Sequence, residues 1–165
     1  MRLFGILVTT FLMSSAFAVQ NLQTCFSPED NCDKVILEYV AGAAKTIDIA
    51  IFNLSMDELH VALTEAKARG VKVRIVCDRN QATNVNSEIK AMITEGFDIR
   101  YGTQKGLMHN KFMIVDDTWV ETGSYNYTFT ASHLNSENQI YLNDSAVVDR
   151  YQKDFLKVWA TAAQP

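Results

Sequence analysis

The chain has 165 residues, of which 48% are hydrophobic, enough to bury one core but too few for two large domains. Its 15 basic and 19 acidic side chains give a formal net charge of −4 at pH 7, which argues against a broad basic surface for nucleic acid. The sequence contains no tandem repeat, low-complexity tract or long linker. Composition therefore predicts one compact domain.

The first 18 residues have the pattern of an export signal. Arg2 supplies the positive start, residues 3–13 form an apolar run, and Ala16-Phe17-Ala18 is a small-x-small cleavage sequence. An uncleaved anchor is disfavoured because the run is shorter than the roughly 20 residues that span a bilayer. We predict a signal peptide over residues 1–18, cleavage near Ala18/Val19, a mature domain over residues 19–165, and a periplasmic or secreted protein without stable membrane insertion.

The three cysteines predict one disulfide and one buried thiol. Export places the chain in an oxidising compartment, where disulfides form. Cys25 and Cys32 enclose a short loop, and we expect them to pair and to join this loop to the first helix. Cys77 lies in an apolar run and is expected to be a buried free thiol. This spacing does not complete the four ligands of a zinc site, and we predict neither a metal nor another cofactor.

The hydrophobic periodicity predicts alternating helices and strands along the whole chain. The predicted helices cover residues 31–45, 55–70, 87–96 and 146–160, with Asn31 capping the first helix and a Ser55/Glu58 capping box opening the second. The predicted strands cover residues 46–52, 71–77, 97–101, 112–115, 119–122 and 138–142. This order predicts an α/β fold in one domain, with a mixed, mostly parallel sheet sandwiched between helices and an antiparallel hairpin late in the chain.

The segment from residue 108 to residue 117 carries the clearest chemistry. Phe112 to Val115 is typical of a buried strand, and side chains two positions apart on a strand share a face. We therefore expect His109 and Lys111 to lie side by side. An imidazole can attack phosphorus or shuttle a proton near neutral pH, and an ammonium group offsets the charge on phosphate oxygens. The pair predicts phosphoryl transfer.

The spacing around this pair is more specific than the pair alone. The pattern is His-x-Lys, four residues, Asp, six residues and Gly-Ser, formed by His109, Lys111, Asp116, Gly123 and Ser124 and followed by Asn126. It resembles the signature of the phospholipase D superfamily, and the likeness extends from about Phe26 to Trp159. The chain is most similar to the small bacterial endonucleases of that superfamily, which carry one motif per chain and work as homodimers. This resemblance implies the half-barrel unit of the superfamily.

The resemblance also implies roles for the residues around the motif. Ser124 and Asn126 would hold phosphate oxygens together with Lys111, whereas ordinary turn chemistry after Gly123 is the alternative. In similar nucleases, the glutamate at the place of Glu137 bonds the far ring nitrogen of the motif histidine and steadies its charged form. Asp116 and Gly123 belong to the motif as structural residues.

The position of Asp116 predicts a structural role independently of the resemblance. It lies seven residues after His109, in the turn at the far end of the motif strand. We therefore expect its carboxylate to bond backbone amides instead of substrate. Clustered carboxylates would be needed for a two-metal nuclease, and Asp116 with Asp117 is explained as a turn.

Hydrolysis through a covalent phosphohistidine requires a nucleophile and an acid for the departing oxygen. His60 lies in a predicted helix and is expected to be inert, and His133 lies in a polar loop, where an inert residue is again the simpler interpretation. One chain thus supplies one suitable histidine. We predict a homodimer in which two copies of His109 face one phosphate; an active monomer would instead make His133 the partner.

The predicted function is a metal-independent endonuclease that cuts DNA, with RNA as a further candidate substrate and with little sequence specificity. Lys105, Arg79 and Arg100 are expected to add local positive charge to Lys111, since removal of Arg2 with the signal leaves 14 basic and 19 acidic residues. Two alternatives stay open at this point. One is a phospholipase D-type lipid phosphodiesterase or phosphatidyltransferase, and the other is a binding module without turnover.

Overall fold

A computed structural model describes residues 21–102 and 105–165. The predicted signal peptide over residues 1–18 lies outside these ranges. Within them, no helix combines the length and the apolar character that crossing a bilayer would require.

Strands and helices alternate through most of the described ranges. The strands are β1 (Leu22–Ser27), β2 (Thr46–Ile51), β3 (Lys72–Cys77), β4 (Asp98–Tyr101), β5 (Lys111–Val115), β6 (Trp119–Gly123) and β7 (Glu137–Leu142). The helices are α1 (Cys32–Gly42), α2 (Asp57–Ala68), α3 (Arg79–Ala82), α4 (Ile89–Thr94), α5 (Phe129–His133) and α6 (Ser145–Thr161).

The strands form one open, mixed sheet in the order β1-β7-β6-β5-β2-β3-β4. The predicted mixed sheet between helices is confirmed, and its open form agrees with a half-barrel unit. The prediction of a mostly parallel sheet is wrong: β3 runs parallel to β2 and β4, whereas the other four pairings are antiparallel. Parallel neighbours need a long crossover, and the connections β5–β6 and β6–β7 return without crossing the sheet.

The sheet separates two hydrophobic cores. Ile47, Ile49 and Ile51 of β2 point into the larger core, which α1 and α2 cover. Ala50 points to the other face, where α6 supplies a smaller core through Val148, Phe155 and Trp159. The alternation along β2 follows from the two-residue period of a strand that is buried on both faces.

A buried ion pair fastens α6 to its face of the sheet. Arg74 on β3 donates to both carboxylate oxygens of Asp48 on β2, at 2.7 and 2.6 Å, and Gln152 of α6 donates to the same carboxylate at 3.1 Å. The Arg74 guanidinium also lies 5.0 Å from the centre of the Phe155 ring. Because charges buried in this way need partners, the contact fixes where α6 lies across the strands.

The predicted helix starts were less accurate. The capping box at Ser55 is absent: α2 begins at Asp57, and the N-cap position belongs to Met56, which makes no side-chain cap. The Ser55 backbone N–H instead donates to the Tyr127 carbonyl at 2.8 Å, which holds this segment extended. Asn31 precedes α1 but likewise makes no side-chain cap.

The cysteine predictions are confirmed. Cys25 on β1 and Cys32 at the start of α1 form a disulfide with a Cα–Cα distance of 5.7 Å. Cys77 is a free buried thiol, and burial raises its pKa to about 12, with the charge of Asp78 acting in the same direction. A thiol with so high a pKa is unreactive at neutral pH.

Candidate active site

The candidate site lies at one edge of the sheet, where β2 ends and β5 begins. Because β5 is antiparallel to both β2 and β6, its first residue, Lys111, lies beside the last residue of β2, Ile51. Gly123 ends β6 at the same edge. Strand direction alone therefore gathers Lys111, Gly123 and the segment after Ile51 in one place.

His109 and Lys111 are in direct contact. The Lys111 Nζ atom lies 3.2 and 3.3 Å from the two ring nitrogens of His109 and donates to the His109 carbonyl oxygen at 2.9 Å. The prediction that the two side chains lie side by side is confirmed. Burial lowers the pKa of Lys111, while the negative charge of Glu137 opposes this shift. An imidazole and an ammonium group thus meet at one point.

Phe52 supports the pair and was not found from the sequence. Its ring centre lies 4.6 Å from that of His109 and 5.2 Å from the Lys111 Nζ atom. The register explains this position, because Ile51, the last residue of β2, pairs with Lys111 and Phe52 directly follows it. A cation beside an aromatic ring gains electrostatic stabilisation, so Phe52 restricts where both functional groups can move.

A cavity of about 480 Å³ opens beside this pair on the α6 side of the sheet. Its walls come from β5, β6 and α6, and they are lined by His109, Asn110, Lys111, Phe112, Thr122, Gly123, Arg150, Tyr151 and Asp154. The sequence did not predict that α6 lines the cavity, because the spacing of its apolar residues identifies only the face that packs on the sheet. The cavity gives His109 and Lys111 access to a substrate.

Asp78 positions the backbone that leads into His109. One of its carboxylate oxygens caps α3 by accepting from the Asn80 and Gln81 backbone N–H groups at 3.0 and 3.2 Å. The other accepts from the Met108 N–H at 3.1 Å. Asp78 is itself buried. It therefore ties the end of β3 to the residue directly before His109.

Asp116 acts as the structural anchor that its position predicted. Its carboxylate accepts from the backbone N–H groups of Ala44, Lys45 and Thr46 at 2.9, 2.7 and 2.9 Å. Burial raises the pKa of this carboxyl group, but the three N–H donors outweigh burial and hold it below its usual value. Asp116 lies at the opposite end of β5 from Lys111, so it shapes the hairpin and does not reach the cavity.

Gly123 is required by close packing. A Cβ atom at this position would lie 2.0 Å from the Asn138 carbonyl oxygen of β7. The same carbonyl accepts a hydrogen bond from the Ser124 N–H at 3.1 Å. Glycine thus permits the close approach of β6 and β7 from which Ser124 emerges.

Glu137 does not contact His109 within the described part of the chain. Its carboxylate accepts a short hydrogen bond from the Ser124 hydroxyl and another from the Asn135 side chain at 2.9 Å. The expected bond to the histidine ring is therefore absent in the single chain, because β6 lies between β7 and the motif strand. Glu137 acts on the site through its charge, which raises the pKa of Lys111 against the effect of burial.

Ser124 and Asn126 are less closely joined to the pair than expected. The Ser124 hydroxyl donates to Glu137 and accepts from the Asn138 backbone N–H at 3.1 Å. Asn126 lines a separate polar depression of about 330 Å³, together with Asn53, Ser55, Asn84, Asn86, Thr128, Thr130 and Asn135. Its side-chain oxygen is buried there without a hydrogen-bond partner in the described residues. The structure brings His109 and Lys111 together and leaves Asn126 in the neighbouring depression.

The other two histidines lie away from the cavity. His60 is held by Glu88 at 2.7 Å and by Glu95 at 2.9 Å, one carboxylate on each ring nitrogen. Burial lowers the pKa of His60, but the hydrogen bonds and charges of Glu95 and Glu88 raise it above its usual value overall. His133 is exposed at the end of α5, and its ring centre lies 4.5 Å from that of Phe129.

The three cations expected to add positive charge beside Lys111 lie elsewhere: Arg100 and Arg79 contact aromatic rings, and Lys105 faces solvent. The Arg100 guanidinium donates to the Trp159 carbonyl at 2.9 Å and stacks 4.1 Å from the centre of its ring, and that of Arg79 lies over Tyr101. Lys105 is exposed. None of the three lines the cavity, so the expected positive cleft is not built from them. Across residues 21–102 and 105–165, no group of three or more His, Cys, Asp or Glu side chains is arranged to hold a metal ion.

Comparison with known proteins settles the family. A family model described as the phospholipase D-like domain of cardiolipin synthase matches residues 36–159, which include the whole motif. The chain belongs to the phospholipase D family. The chain is therefore a phosphodiesterase of that family, and the matched range includes His109 and Lys111.

Relatives of this phospholipase D-family enzyme carry different names. The chain is 33% identical over 141 residues to a phospholipase D of Rickettsia prowazekii, covering 86% of this chain and 69% of the relative. It is 32% identical over 141 residues to the mitochondrial cardiolipin hydrolase of Xenopus laevis, covering 84% and 67%. Among solved structures, the phospholipase D family member Nuc of Salmonella typhimurium matches with a TM-score of 0.81 and 29% identity, covering 87% of this chain and 96% of that one.

Proposed function

We propose that this phospholipase D-family enzyme is a metal-independent endonuclease that hydrolyses DNA, and RNA as a second substrate, with little sequence preference. The observation that carries the proposal is the contact between His109 and Lys111 at the mouth of a solvent-open cavity with polar and charged walls. Phosphate is the substrate group that this pair suits best. The absence of a base-reading motif in the sequence supports the lack of sequence preference.

In the proposed reaction, a ring nitrogen of His109 attacks the phosphorus atom of the phosphodiester. A P–N bond forms as the P–O bond to the departing group breaks, and His109 of the partner subunit gives that oxygen its proton. The same partner imidazole then takes a proton from water, whose oxygen attacks phosphorus while the P–N bond breaks. Lys111 offsets the charge on the phosphate oxygens in both steps.

The second chain is part of the proposal for a chemical reason. Within the described residues, His60 is held by two glutamates and His133 does not line the cavity. A single chain therefore presents one imidazole to the phosphate, whereas the reaction uses a nucleophile and an acid. A twofold axis beside the cavity would bring two identical imidazoles to one phosphate. The same arrangement would place Ser124, Asn126 and Glu137 from two chains around it.

A lipid substrate is the second candidate. Relatives named phospholipase D and cardiolipin hydrolase support it, as does the exposed Leu107 two residues before His109, whose relative exposure is 54%. The polar walls of the cavity favour a nucleic-acid strand over an acyl chain. This candidate predicts hydrolysis of, or phosphatidyl transfer from, a phospholipid in vesicles.

A substrate panel separates these functions. The mature protein is incubated with plasmid DNA, single-stranded DNA, RNA, phosphatidylcholine vesicles and cardiolipin vesicles, each in excess EDTA. His109→Ala is the inactive variant and His133→Ala the matched control. Cleavage of nucleic acid in EDTA by the wild type and by His133→Ala, and its loss in His109→Ala, is the expected result. Cleavage that depends on added Mg²⁺, or hydrolysis of lipid alone, contradicts the proposal.

We also propose that the protein is periplasmic or secreted. The sequence of residues 1–18 and the disulfide between Cys25 and Cys32 support this location. Cell fractionation followed by mass spectrometry of the isolated protein is the test. A chain that begins near Val19 outside the cytoplasm is expected, and an intact cytoplasmic chain contradicts the proposal.

A further inference from the structure

The outer face of α6 carries a row of cations. Arg150, Lys153 and Lys157 are all exposed and follow one another at intervals of three and four residues. Side chains at these intervals lie on the same face of a helix. The opposite face of α6 is fixed to the sheet through Phe155 and Gln152, so the row has a definite position.

This row continues the active-site cavity. Arg150 and Asp154 line the cavity that holds His109 and Lys111. The same two residues line a smaller depression of about 180 Å³, whose other walls are Lys153 and Lys157. The two depressions are therefore neighbours on the surface, and together we call them the α6 groove, which extends from the reacting groups along α6.

The cations in this groove are unpaired in the described part of the chain. The ion pairs among the described residues are those of His60 and Arg74. None of Arg150, Lys153 and Lys157 has a described carboxylate within 4.0 Å. Asp154 is the one acid that lines the groove, so the groove holds more cations than anions on a chain whose net charge is −4. Local positive charge on an acidic protein concentrates a polyanion at that place.

We propose that this groove is the track for the phosphate backbone of a single nucleic-acid strand, with Arg150, Lys153 and Lys157 contacting phosphates next to the one bound by Lys111. The proposal rests on the nuclease function proposed above and extends its substrate site. The seven helical steps from Arg150 to Lys157 span about 10 Å of helix, the rise of about three nucleotides in one strand. Contacts to phosphates carry no base information, in agreement with unspecific cleavage.

The shape of α6 favours a strand over a membrane surface. A helix that lies on a membrane keeps an apolar face for the lipid. The apolar face of α6 is buried against the sheet through Val148, Phe155 and Trp159. Among the described residues of α6, Leu156 is the one large hydrophobic side chain that is exposed. A single exposed leucine does not form an apolar face.

The test removes the three cations and measures salt dependence. The triple variant Arg150→Gln, Lys153→Gln, Lys157→Gln is compared with Lys34→Gln, Lys72→Gln, Lys90→Gln, which loses the same charge at exposed positions that line neither depression. Affinity for a single-stranded oligonucleotide is measured by fluorescence anisotropy between 50 and 300 mM NaCl. Hydrolysis of bis(p-nitrophenyl) phosphate reports the reacting groups without a strand.

The α6 triple variant is expected to bind the oligonucleotide at least 10-fold more weakly at low salt. Its slope of log K against log salt is expected to fall by about 2, because each lost phosphate contact on a single strand removes about 0.7. The control triple variant is expected to keep both the wild-type slope and the wild-type hydrolysis of the small substrate. The α6 variant is expected to lose oligonucleotide affinity by a larger factor than hydrolysis of the small substrate, because Lys153 and Lys157 lie outside the cavity that holds His109. Asp154→Asn is expected to tighten binding, because it removes the acid from the groove.

Three outcomes overturn the proposal. They are an unchanged slope in the α6 variant, an equal loss of slope in the control variant, and, when binding to cardiolipin vesicles is measured in parallel, a loss of binding by the α6 variant that is confined to the vesicles. A wild-type protein that hydrolyses the small substrate and binds the oligonucleotide but does not cut nucleic acid contradicts the nuclease function alone. Because binding and cleavage are measured separately, the two failures are distinguishable.

Discussion

The Met108 backbone N–H donates a hydrogen bond of 3.1 Å to the carboxylate of Asp78, and this contact fixes the residue directly before His109. Asp78 is buried at the end of β3 and also caps α3. The orientation of the His109 imidazole thus depends on a residue 31 positions earlier in the chain. A misplacement of a reacting group by a fraction of an ångström reduces turnover without abolishing binding.

Replacing Asp78 by alanine is therefore expected to lower kcat on bis(p-nitrophenyl) phosphate by at least 10-fold while KM changes little. The loss of the cap is expected to reduce the free energy of unfolding by about 1–2 kcal/mol. Asp144→Ala is the matched control, because Asp144 caps a different helix, α6, through the Val147 N–H at 2.9 Å. Equal kcat losses in the two variants would show that Asp78 acts through stability alone.

Asp116 predicts a specific dependence of stability on acid. The pKa of Asp116 is lower in the folded protein than in the unfolded chain, where it is 3.8. The stability that Asp116 contributes is therefore complete above pH 3.8 and is lost as the pH falls through the pKa of the folded state. Asp116→Asn is expected to unfold more easily at pH 7, by about 2 kcal/mol for weakened bonds to a charged acceptor. Urea unfolding at pH 7 and pH 3 measures this, and the difference between the two pH values is expected to shrink in the variant. An unchanged difference would contradict the anchoring role.

Glu121 predicts a shift of stability in the opposite direction. Burial raises its pKa to about 8, although the hydrogen bond from the Tyr127 hydroxyl opposes this shift. Between these two pKa values, the folded protein keeps a proton on Glu121 that the unfolded chain, in which the pKa is 4.5, has lost. Stability from this group is complete below 4.5 and declines as pH rises to about 8, by on the order of 1 kcal/mol per pH unit.

The variant Glu121→Gln tests this shift, because glutamine cannot ionise. In the wild type the Tyr127 hydroxyl donates to the Glu121 carboxylate at 2.7 Å, and the amide oxygen of the variant can accept the same hydrogen bond. Unfolding in urea at pH 5, 6.5 and 8 is expected to show a flatter pH dependence and a gain in stability at pH 8 relative to the wild type. If the wild type and the variant lose stability in parallel over this range, Glu121 is ionised in the folded protein.

Gly123 predicts a large effect from a single methyl group. Gly123→Ala places a carbon 2.0 Å from a backbone carbonyl, so β6 and β7 must separate. We expect a loss of about 3 kcal/mol in the free energy of unfolding and reduced activity, because Ser124 follows directly. Gly106→Ala is the control, since a Cβ there meets no atom within 4 Å. Similar thermal unfolding of the two variants would contradict the close-packing argument.

The sequence was most informative where an interaction is local or follows from strand geometry. His109 and Lys111 are two residues apart, and the structure places them in contact. Asp116 and Asp117 both adopt positive φ, 54° and 55°, as the predicted turn requires. The disulfide was predictable because Cys25 and Cys32 enclose a short loop.

The features that the sequence did not predict depend on contacts between segments that are far apart in the chain. Strand β1 has an apolar pattern too weak to recognise, and it exists because Leu22–Ser27 pairs with β7 more than 100 residues later. Asp78 and Phe52 reach the site through the order of the strands, which local patterns do not reveal. The separation of Glu137 from His109 likewise depends on β6 lying between β7 and β5, the strand that follows His109.

The central claim is that two chains share one reacting centre, and a heterodimer tests it most directly. Wild-type chains and His109→Ala chains carrying different affinity tags are co-expressed, and the mixed dimer is isolated through both tags. The account predicts that this dimer hydrolyses bis(p-nitrophenyl) phosphate at least 100-fold more slowly than the wild type, because nucleophile and acid come from different chains. A mixed dimer with about half of the wild-type activity, or an active wild-type monomer in analytical ultracentrifugation, would contradict it.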